Sequence, residues 1–204
     1  MLQVGSRNLI TDVDGIPIGN AEDARVRSGV SVVLCGTPSM AAGDVRGGAP
    51  DTRDTDLLDP SCRVDRIDAI CLSGGSTFGL PVSHSRADVM RDPADSARSN
   101  PRGTTTIAVV ATNATSDKAS AKRLAAMAQD GPAHAIRPVH TPQGGDTVFA
   151  IATGRRDLGA DPFALAEPGS LAADCLARAA GATHSAVAGT SWLDARSPPG
   201  TRNS

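Results

Sequence analysis

The run Thr104-Thr-Thr-Ile-Ala-Val-Val-Ala-Thr112 constrains the fold of this chain most, because it has the highest strand propensity in the sequence. After it come residues 116–130, with apolar side chains at helical spacing, and then a second apolar run at 147–153. The order strand, helix, strand is typical of a domain in which helices pack on a sheet. We therefore expect the strands at 104–112 and 147–153 to be neighbours in one sheet.

Three further segments extend this pattern. Residues 30–35 and 67–73 are short runs rich in β-branched residues and bounded by glycines, which predicts two buried strands. Residues 170 to about 180 follow Pro168-Gly169 and predict a second helix. The predicted fold class is an α/β layered domain, and 204 residues suffice for one such domain with a sizeable core.

The helix predicted at 116–130 carries signals at both ends. Thr115 or Ser116 can cap its first turn with a side-chain hydroxyl. Gly131-Pro132 follows its last turn, and this pair is typical of a helix end. The helix is therefore expected to stop before Gly131.

Two segments lack apolar periodicity. Residues 81–103 are dominated by Pro, Ser, Arg and Asp, which predicts an irregular linker. Residues 190–204 are similarly rich in Ser, Pro, Gly and Arg and are predicted to be a disordered tail. The remaining parts, 1–80 and 104–189, are expected to form one domain together.

The charge pattern argues against polyanionic partners. The formal net charge is -2, and acidic and basic residues are interspersed, which leaves no basic surface for nucleic acid or an anionic membrane. The N-terminus lacks the apolar run of a signal peptide, and no stretch reaches the roughly 20 apolar residues of a membrane span. We expect a cytoplasmic protein with neither nucleic acid nor membrane as a partner.

Neither the cysteines nor the histidines have the spacing of a metal site. No two cysteines form a C-x-x-C pair, and no two histidines lie at ligand spacing. The residues concerned are Cys35, Cys62, Cys71 and Cys175, and His84, His134, His140 and His184. Cysteines within apolar runs usually serve as small core residues. We predict reduced structural thiols, no metal and no cofactor.

Thr105 is the candidate nucleophile, since it stands where a polar loop meets the strongest predicted strand. Thr is common in strands, so a packing role is the alternative interpretation. As a nucleophile, Thr105 would attack the carbonyl before it, convert that amide to an ester, and become a new N-terminus on hydrolysis. Its hydroxyl would then attack substrate while its α-amine, with a pKa of about 8, served as general base. The residues alone leave both interpretations open.

Five motifs, taken in their order along the chain, closely resemble the DmpA-type peptidases. That family includes L-aminopeptidase/D-esterase, the β-peptidyl aminopeptidases and the nylon-oligomer hydrolase. The motifs are Ile10-Thr-Asp-Val-Asp-Gly15, Gly43-Asp-Val-Arg-Gly-Gly-Ala-Pro50 with Thr55-Asp-Leu-Leu58, Ser73-Gly-Gly-Ser-Thr-Phe-Gly-Leu80, Thr105-Thr-Ile-Ala-Val-Val-Ala-Thr-Asn113 and Gly145-Asp-Thr-Val-Phe-Ala150. The resemblance covers roughly residues 8–80 and 104–180.

The resemblance implies an αββα sandwich of the N-terminal-nucleophile type and self-cleavage into two chains. It places the nucleophile on Thr105, and the two supporting polar positions on Gly144 and Asp146, of which only Asp146 has a polar side chain. The implied activity is that of an aminopeptidase or amidase acting on a small peptide or amino-acid amide. The resemblance also implies a homo-oligomer.

The chain departs from the family pattern between residues 80 and 105. The family carries a long central region there, with an Asn that stabilises the oxyanion and a Tyr that lines the active site. This chain has the short linker instead and contains no Tyr. The residue before the nucleophile is the β-branched Thr104, which crowds the carbonyl under attack. Since losing one oxyanion donor costs roughly 10²- to 10³-fold in rate, we predict a mostly uncleaved chain.

Two other hypotheses compete with a hydrolase. The first is a catalytically silent scaffold or interaction protein that retains the family fold, which the missing central region favours. The second is an unrelated ligand-binding domain that uses the Gly-rich loop at Gly74, a loop without the Lys or spacing of a phosphate-binding motif.

Overall fold

In the part of the chain that the structure describes, five strands form one mixed sheet, with helices on one of its faces. The computed structural model describes residues 6–23, 28–74, 105–158 and 163–187. The elements in chain order are strands β1 (Ile18–Asp23), β2 (Ser28–Val45), β3 (Arg66–Ser73) and β4 (Ile107–Ala114), helices α1 (Lys118–Ala128) and α2 (Asp130–Ala135), strand β5 (Thr147–Arg156) and helix α3 (Ala166–Val187). Short 3-10 helices lie at Ile10–Asp12 and Thr55–Leu58.

The long strand β2 organises the sheet. Its first half pairs antiparallel with β1, and β3 pairs along its other side. Its second half pairs antiparallel with β5, and β5 pairs parallel with β4. The order is therefore β1-β2-β5-β4, with β3 also on β2. The register places Ile107 opposite Thr147, so β4 and β5 begin at the same end of the sheet.

Strand β5 lies at the centre of the core, because both of its faces are covered. Its first six residues are all buried. Phe149 and Ile151 join one hydrophobic cluster, whereas Val148 and Ala150 join a second cluster that includes residues of α1. Successive side chains of a strand point to opposite faces, so one strand serves two clusters.

Helices α1 and α3 contribute residues to the second cluster. Helix α1 packs on β2 and β5, and α3 packs on α1 and α2. Gly131 lies where α2 approaches α3, and a Cβ atom there would come within 2.3 Å of the Ala173 carbonyl oxygen. A glycine at this position therefore allows α2 and α3 to pack closely.

The sequence predictions for the main elements are confirmed. The strands predicted at 30–35, 67–73 and 147–153 lie within β2, β3 and β5, and the strand predicted at 104–112 corresponds to β4, which begins only at Ile107. Strands β4 and β5 are neighbours as expected. The two predicted helices correspond to α1 and α3, and α3 is longer at both ends than predicted. The α/β layered class is therefore observed.

Two details at the ends of helix α1 differ from the prediction. Its N-cap is Asp117, whose carboxylate accepts a 2.7 Å hydrogen bond from the Ser120 backbone N–H, rather than Thr115 or Ser116. This bond lowers the pKa of Asp117. Helix α1 ends before Gly131 as expected, at Ala128 with Gln129 as its C-cap, but Gly131 itself lies inside the next helix, α2. Contact with α3 outweighs the local tendency of Gly131 to stop a helix.

Strand β1 and the second half of β2 were missed. β1 reads Ile-Gly-Asn-Ala-Glu-Asp and is mostly exposed, so it has no apolar alternation to recognise. Within the described ranges there is one sheet with helices on one face, which leaves the αββα sandwich an expectation. The predicted linker at 81–103 and tail at 190–204 lie outside the described residues.

Helix α1 is also tied to the segment that contains the second 3-10 helix. Lys118 is buried, and its Nζ donates hydrogen bonds to the carbonyl oxygens of Leu57 at 3.1 Å and Cys62 at 2.8 Å. Lys122 forms a 2.5 Å ion pair with Asp59, with both side chains about 40% exposed. Both lysines thus tie α1 to residues 57–62, Lys118 through buried hydrogen bonds and Lys122 through a solvent-exposed ion pair.

We expect Lys118→Met to lower the free energy of unfolding by about 2–3 kcal/mol, because it leaves two carbonyl oxygens without their charged donor. Lys122→Met is the matched control, and it should cost less than about 1 kcal/mol since its ion pair is solvent-exposed. Urea unfolding of both variants measures the difference. Equal losses for the two would show that the buried contacts of Lys118 contribute no more than a surface pair.

Candidate active site

Thr105 and Asp146 lie together at the end of the sheet where β4 and β5 begin. Thr105 precedes β4 by two residues, and Asp146 immediately precedes β5. Because the two strands are parallel neighbours, the segments before them meet at one edge. The structure therefore brings together the two residues that the sequence singled out.

The Asp146 carboxylate is buried, with the side chain 3% exposed, and accepts three hydrogen bonds. Oδ1 accepts from the Thr106 backbone N–H at 2.7 Å. Oδ2 accepts from the His140 backbone N–H at 2.5 Å and lies 2.9 Å from His140 Nδ1. A buried carboxylate is stable only when such donors replace its water. Asp146 thus links the start of β4 to the loop before β5.

Hydrogen bonds of both side chains and backbone join the first residues of β5 to the segment just before β4. The Thr147 backbone N–H donates to the Thr106 carbonyl at 2.9 Å, and the Thr147 hydroxyl donates to the Gly145 carbonyl at 3.0 Å. The Gly145 backbone N–H donates a hydrogen bond to the Thr105 hydroxyl oxygen, at 3.0 Å. The position of the Thr105 side chain is therefore set by the loop before β5.

Thr105 is an exposed residue at this edge of the sheet. The N–H of Gly145 donates to the hydroxyl oxygen and leaves the hydroxyl proton free to move to a base. An N–H donor at this oxygen also stabilises the negative charge that grows on it as the proton leaves. This arrangement is suited to nucleophilic attack by Thr105.

The contact between Asp146 and Thr105 is indirect. The carboxylate binds the backbone of Thr106, and the hydrogen bond to the Thr105 hydroxyl comes from Gly145. Gly144 stands at the second family position, and its N–H donates to the Thr141 carbonyl. Asp146 is therefore connected to Thr105 through the backbone of Thr106.

A glycine pair from the second motif wraps around this loop. The N–H groups of Arg46 and Gly47 donate to the Asp146 carbonyl at 2.9 and 3.3 Å. A Cβ atom on Gly47 would lie 2.2 Å from the Gly144 carbonyl oxygen, and one on Gly48 would lie 2.8 Å from the Pro142 backbone. Only glycine allows this close approach. The motif at 43–50 is thus a structural support for the loop that carries Asp146.

His140 is the residue of this site that sequence reasoning missed. The sequence favours a solvated or hydrogen-bonded histidine over a metal ligand at this position, but a lone His six residues before Asp146 carries no spacing signal that would name its partner. His140 contacts Asp146 from a left-handed backbone conformation, φ 56°, which no sequence pattern predicts here. His140 belongs to the site through this contact.

The other candidate residues lie elsewhere or outside the described ranges. Burial raises the pKa of the Cys35 and Cys71 thiols, which keeps them protonated and poorly nucleophilic. Of the loop at 73–80, only Ser73 and Gly74 are described. Within the described part of the chain, no three His, Cys, Asp or Glu side chains are grouped to hold a metal. No helix in that part is long and apolar enough to cross a membrane.

Curated relatives extend over most of the chain. An uncharacterized aminopeptidase of Mycobacterium leprae (strain TN) is 28% identical, over 88% of this chain and 90% of the relative. Uncharacterized aminopeptidases of Mycobacterium bovis and Mycobacterium tuberculosis are also 28% identical, over 84% of this chain and 92% of each relative. The first alignment is 327 residues long against 204 in this chain, so the relative has residues without a counterpart here.

The sequence profile of peptidase family S58 matches residues 8–102 and 86–202. The two matches together span nearly the whole chain, and they include both Thr105 and Asp146. The chain therefore belongs to peptidase family S58, the DmpA family that its motifs predicted.

Proposed function

We propose that this chain is an aminopeptidase that cleaves amide or ester bonds next to a free amino group, using Thr105 as an N-terminal nucleophile. The observation that carries the proposal is the hydroxyl of the exposed residue Thr105, just before β4, which accepts a hydrogen bond from the Gly145 N–H just before β5. Family membership and relatives named as aminopeptidases support the same class of reaction. The substrate is a small peptide or an amino-acid amide.

The nucleophile is released by self-cleavage between Thr104 and Thr105. The Thr105 hydroxyl oxygen attacks the Thr104 carbonyl carbon through a five-membered ring, and the carbon–nitrogen bond breaks to leave an ester. Water then hydrolyses the ester, which gives a carboxylate on Thr104 and a free α-amine on Thr105. The hydroxyl and its base then stand on one residue.

Substrate hydrolysis repeats this chemistry between molecules. The α-amine takes the hydroxyl proton, the oxygen attacks the substrate carbonyl, and the protonated amine returns the proton to the leaving group. Water then hydrolyses the acyl-enzyme ester. The Gly145 N–H stabilises the developing charge on the Thr105 oxygen, and Asp146 keeps the Thr106 backbone in place.

We expect self-cleavage to limit the activity of this chain. The β-branched Thr104 crowds the carbonyl that must become tetrahedral, and the family's oxyanion-stabilising region has no counterpart in the short segment before Thr105. A loss of roughly 3–4 kcal/mol in the transition state slows the step several hundred-fold. Activity should therefore follow the fraction of cleaved chains.

A catalytically silent scaffold is the second candidate. It is favoured by the absence of Tyr from the sequence and by the residues that the aligned relative has in excess of this chain. A silent scaffold would keep the sheet and its hydrogen bonds but would neither cleave itself nor hydrolyse amides. The two candidates differ in one covalent bond, which a mass measurement detects.

We expect slow conversion of the purified chain into two fragments, the smaller with Thr105 at its N-terminus. Intact-mass spectrometry during prolonged incubation measures the cleaved fraction, and hydrolysis of amino-acid amides and β-dipeptides should rise in proportion to it. Thr105→Ala should abolish both, and Thr105→Ser should retain both because it keeps the hydroxyl. A single intact mass without any hydrolysis would establish the silent scaffold.

We expect Asp146→Asn to slow self-cleavage and to lower the free energy of unfolding by about 1–3 kcal/mol. The amide can present only one acceptor oxygen to donors on both sides, so one buried N–H loses its partner. Asp68→Asn, on an exposed position of β3, is the matched control and should change neither quantity. Urea unfolding and the cleavage time course test this, and a fully active, stable Asp146→Asn would contradict it.

A further inference from the structure

His140 places two donors on one oxygen of the buried carboxylate. Its backbone N–H lies 2.5 Å from Asp146 Oδ2, and its ring Nδ1 lies 2.9 Å from the same atom. The left-handed conformation of His140, φ 56°, accompanies this arrangement. The backbone N–H donates to Oδ2, and a carboxylate oxygen only accepts, so we assign the tautomer in which Nδ1 carries the ring proton.

This arrangement determines where the other carboxylate oxygen points. The terminal torsion of an Asp side chain is soft, so a carboxylate held at one oxygen by a single donor can rotate. With two donors on Oδ2, Oδ1 faces the Thr106 N–H at 2.7 Å. Thr106 is covalently bonded to Thr105, whose hydroxyl must stay within reach of the Gly145 N–H.

The other ring nitrogen indicates that the imidazole is not there for packing alone. His140 Nε2 is buried and has no hydrogen-bond partner in the described part of the chain. A buried polar atom without a partner costs free energy, which an apolar side chain would avoid. The contact with Asp146 is the interaction that offsets this cost.

We propose that His140 is a positioning residue for the Thr105 nucleophile, holding the Asp146 carboxylate so that it fixes the backbone at Thr106. The inference rests on the proposed function of Thr105. His140 does not touch the hydroxyl; it acts through Asp146 and the start of β4. Its Nδ1–H is the group that matters, and a different side chain with a donor at the same place can replace it.

Two substitutions separate the donor from the backbone conformation. His140→Asn keeps a side-chain N–H near the position of Nδ1, and His140→Gly removes the donor. Both Asn and Gly tolerate a positive φ, so neither introduces the strain that an apolar substitute would. The comparison between the two variants therefore isolates the side-chain donor.

The first readout does not depend on activity. Amide hydrogen exchange by NMR should be about tenfold faster at Thr106 in His140→Gly than in the unmodified chain, because its acceptor is no longer held. Exchange at Val110, in the middle of β4, should be unchanged and serves as the internal control. His140→Asn should restore slow exchange at Thr106.

The second readout is kinetic. In His140→Gly the self-cleavage rate constant, and kcat per cleaved chain, should each fall about tenfold with KM unchanged, since the substrate is bound elsewhere. His140→Asn should recover most of both. In the double variant with Asp146→Asn, loss of His140 should add no further decrease, because both act through one contact.

The outcomes distinguish this inference from the proposed function. Equal behaviour of His140→Asn and His140→Gly in both readouts would overturn the inference, as would unchanged exchange at Thr106 in His140→Gly. A chain that neither cleaves itself nor hydrolyses substrate would refute the proposed function. In that case hydrogen exchange at Thr106 tests the contact between His140 and Asp146 without any activity. Slow exchange in His140→Asn and fast exchange in His140→Gly would support the contact, and equal exchange in the two variants would reject it.

Discussion

The buried carboxylate of Asp146 is the interaction on which the arrangement of this site depends. Removing a charge from water is costly, and here three N–H donors from two segments replace the water. One donor comes from the start of β4, and two come from the loop before β5. Because all three must be in place together, the carboxylate holds two parts of the chain 40 residues apart in one geometry.

A second constraint is steric. Gly47 and Gly48 lie so close to the loop at 142–146 that any side chain would collide with its backbone. This close approach lets backbone N–H groups after β2 bind the Asp146 carbonyl. The motif at 43–50 thus belongs to the site through its backbone and its lack of side chains. The motif at 43–50 and the loop at 142–146 lie far apart in sequence but pack together as one unit.

The described site contains the hydroxyl that we propose as the nucleophile, together with its hydrogen-bond donor. The Thr105 hydroxyl, the Gly145 N–H and the Asp146 contact are present. A Tyr is absent, and the aligned relative is longer than this chain. The proposed self-cleavage therefore depends on whether Thr105 and its hydrogen-bond partners alone lower the barrier enough.

The sequence by itself determined the α/β class, four of the strands, two helices and the two residues Thr105 and Asp146. Strand and helix periodicity is a local property, and the motifs keep their order along the chain. The tertiary structure decided the rest: the exposed strand β1 has no apolar pattern, and Gly131 stays helical because α3 packs against it. The contact between His140 and Asp146 is also visible only there, and it is made from a left-handed backbone conformation of His140. Such contacts form between segments that meet only when the chain has folded, and short-range patterns carry no information about them.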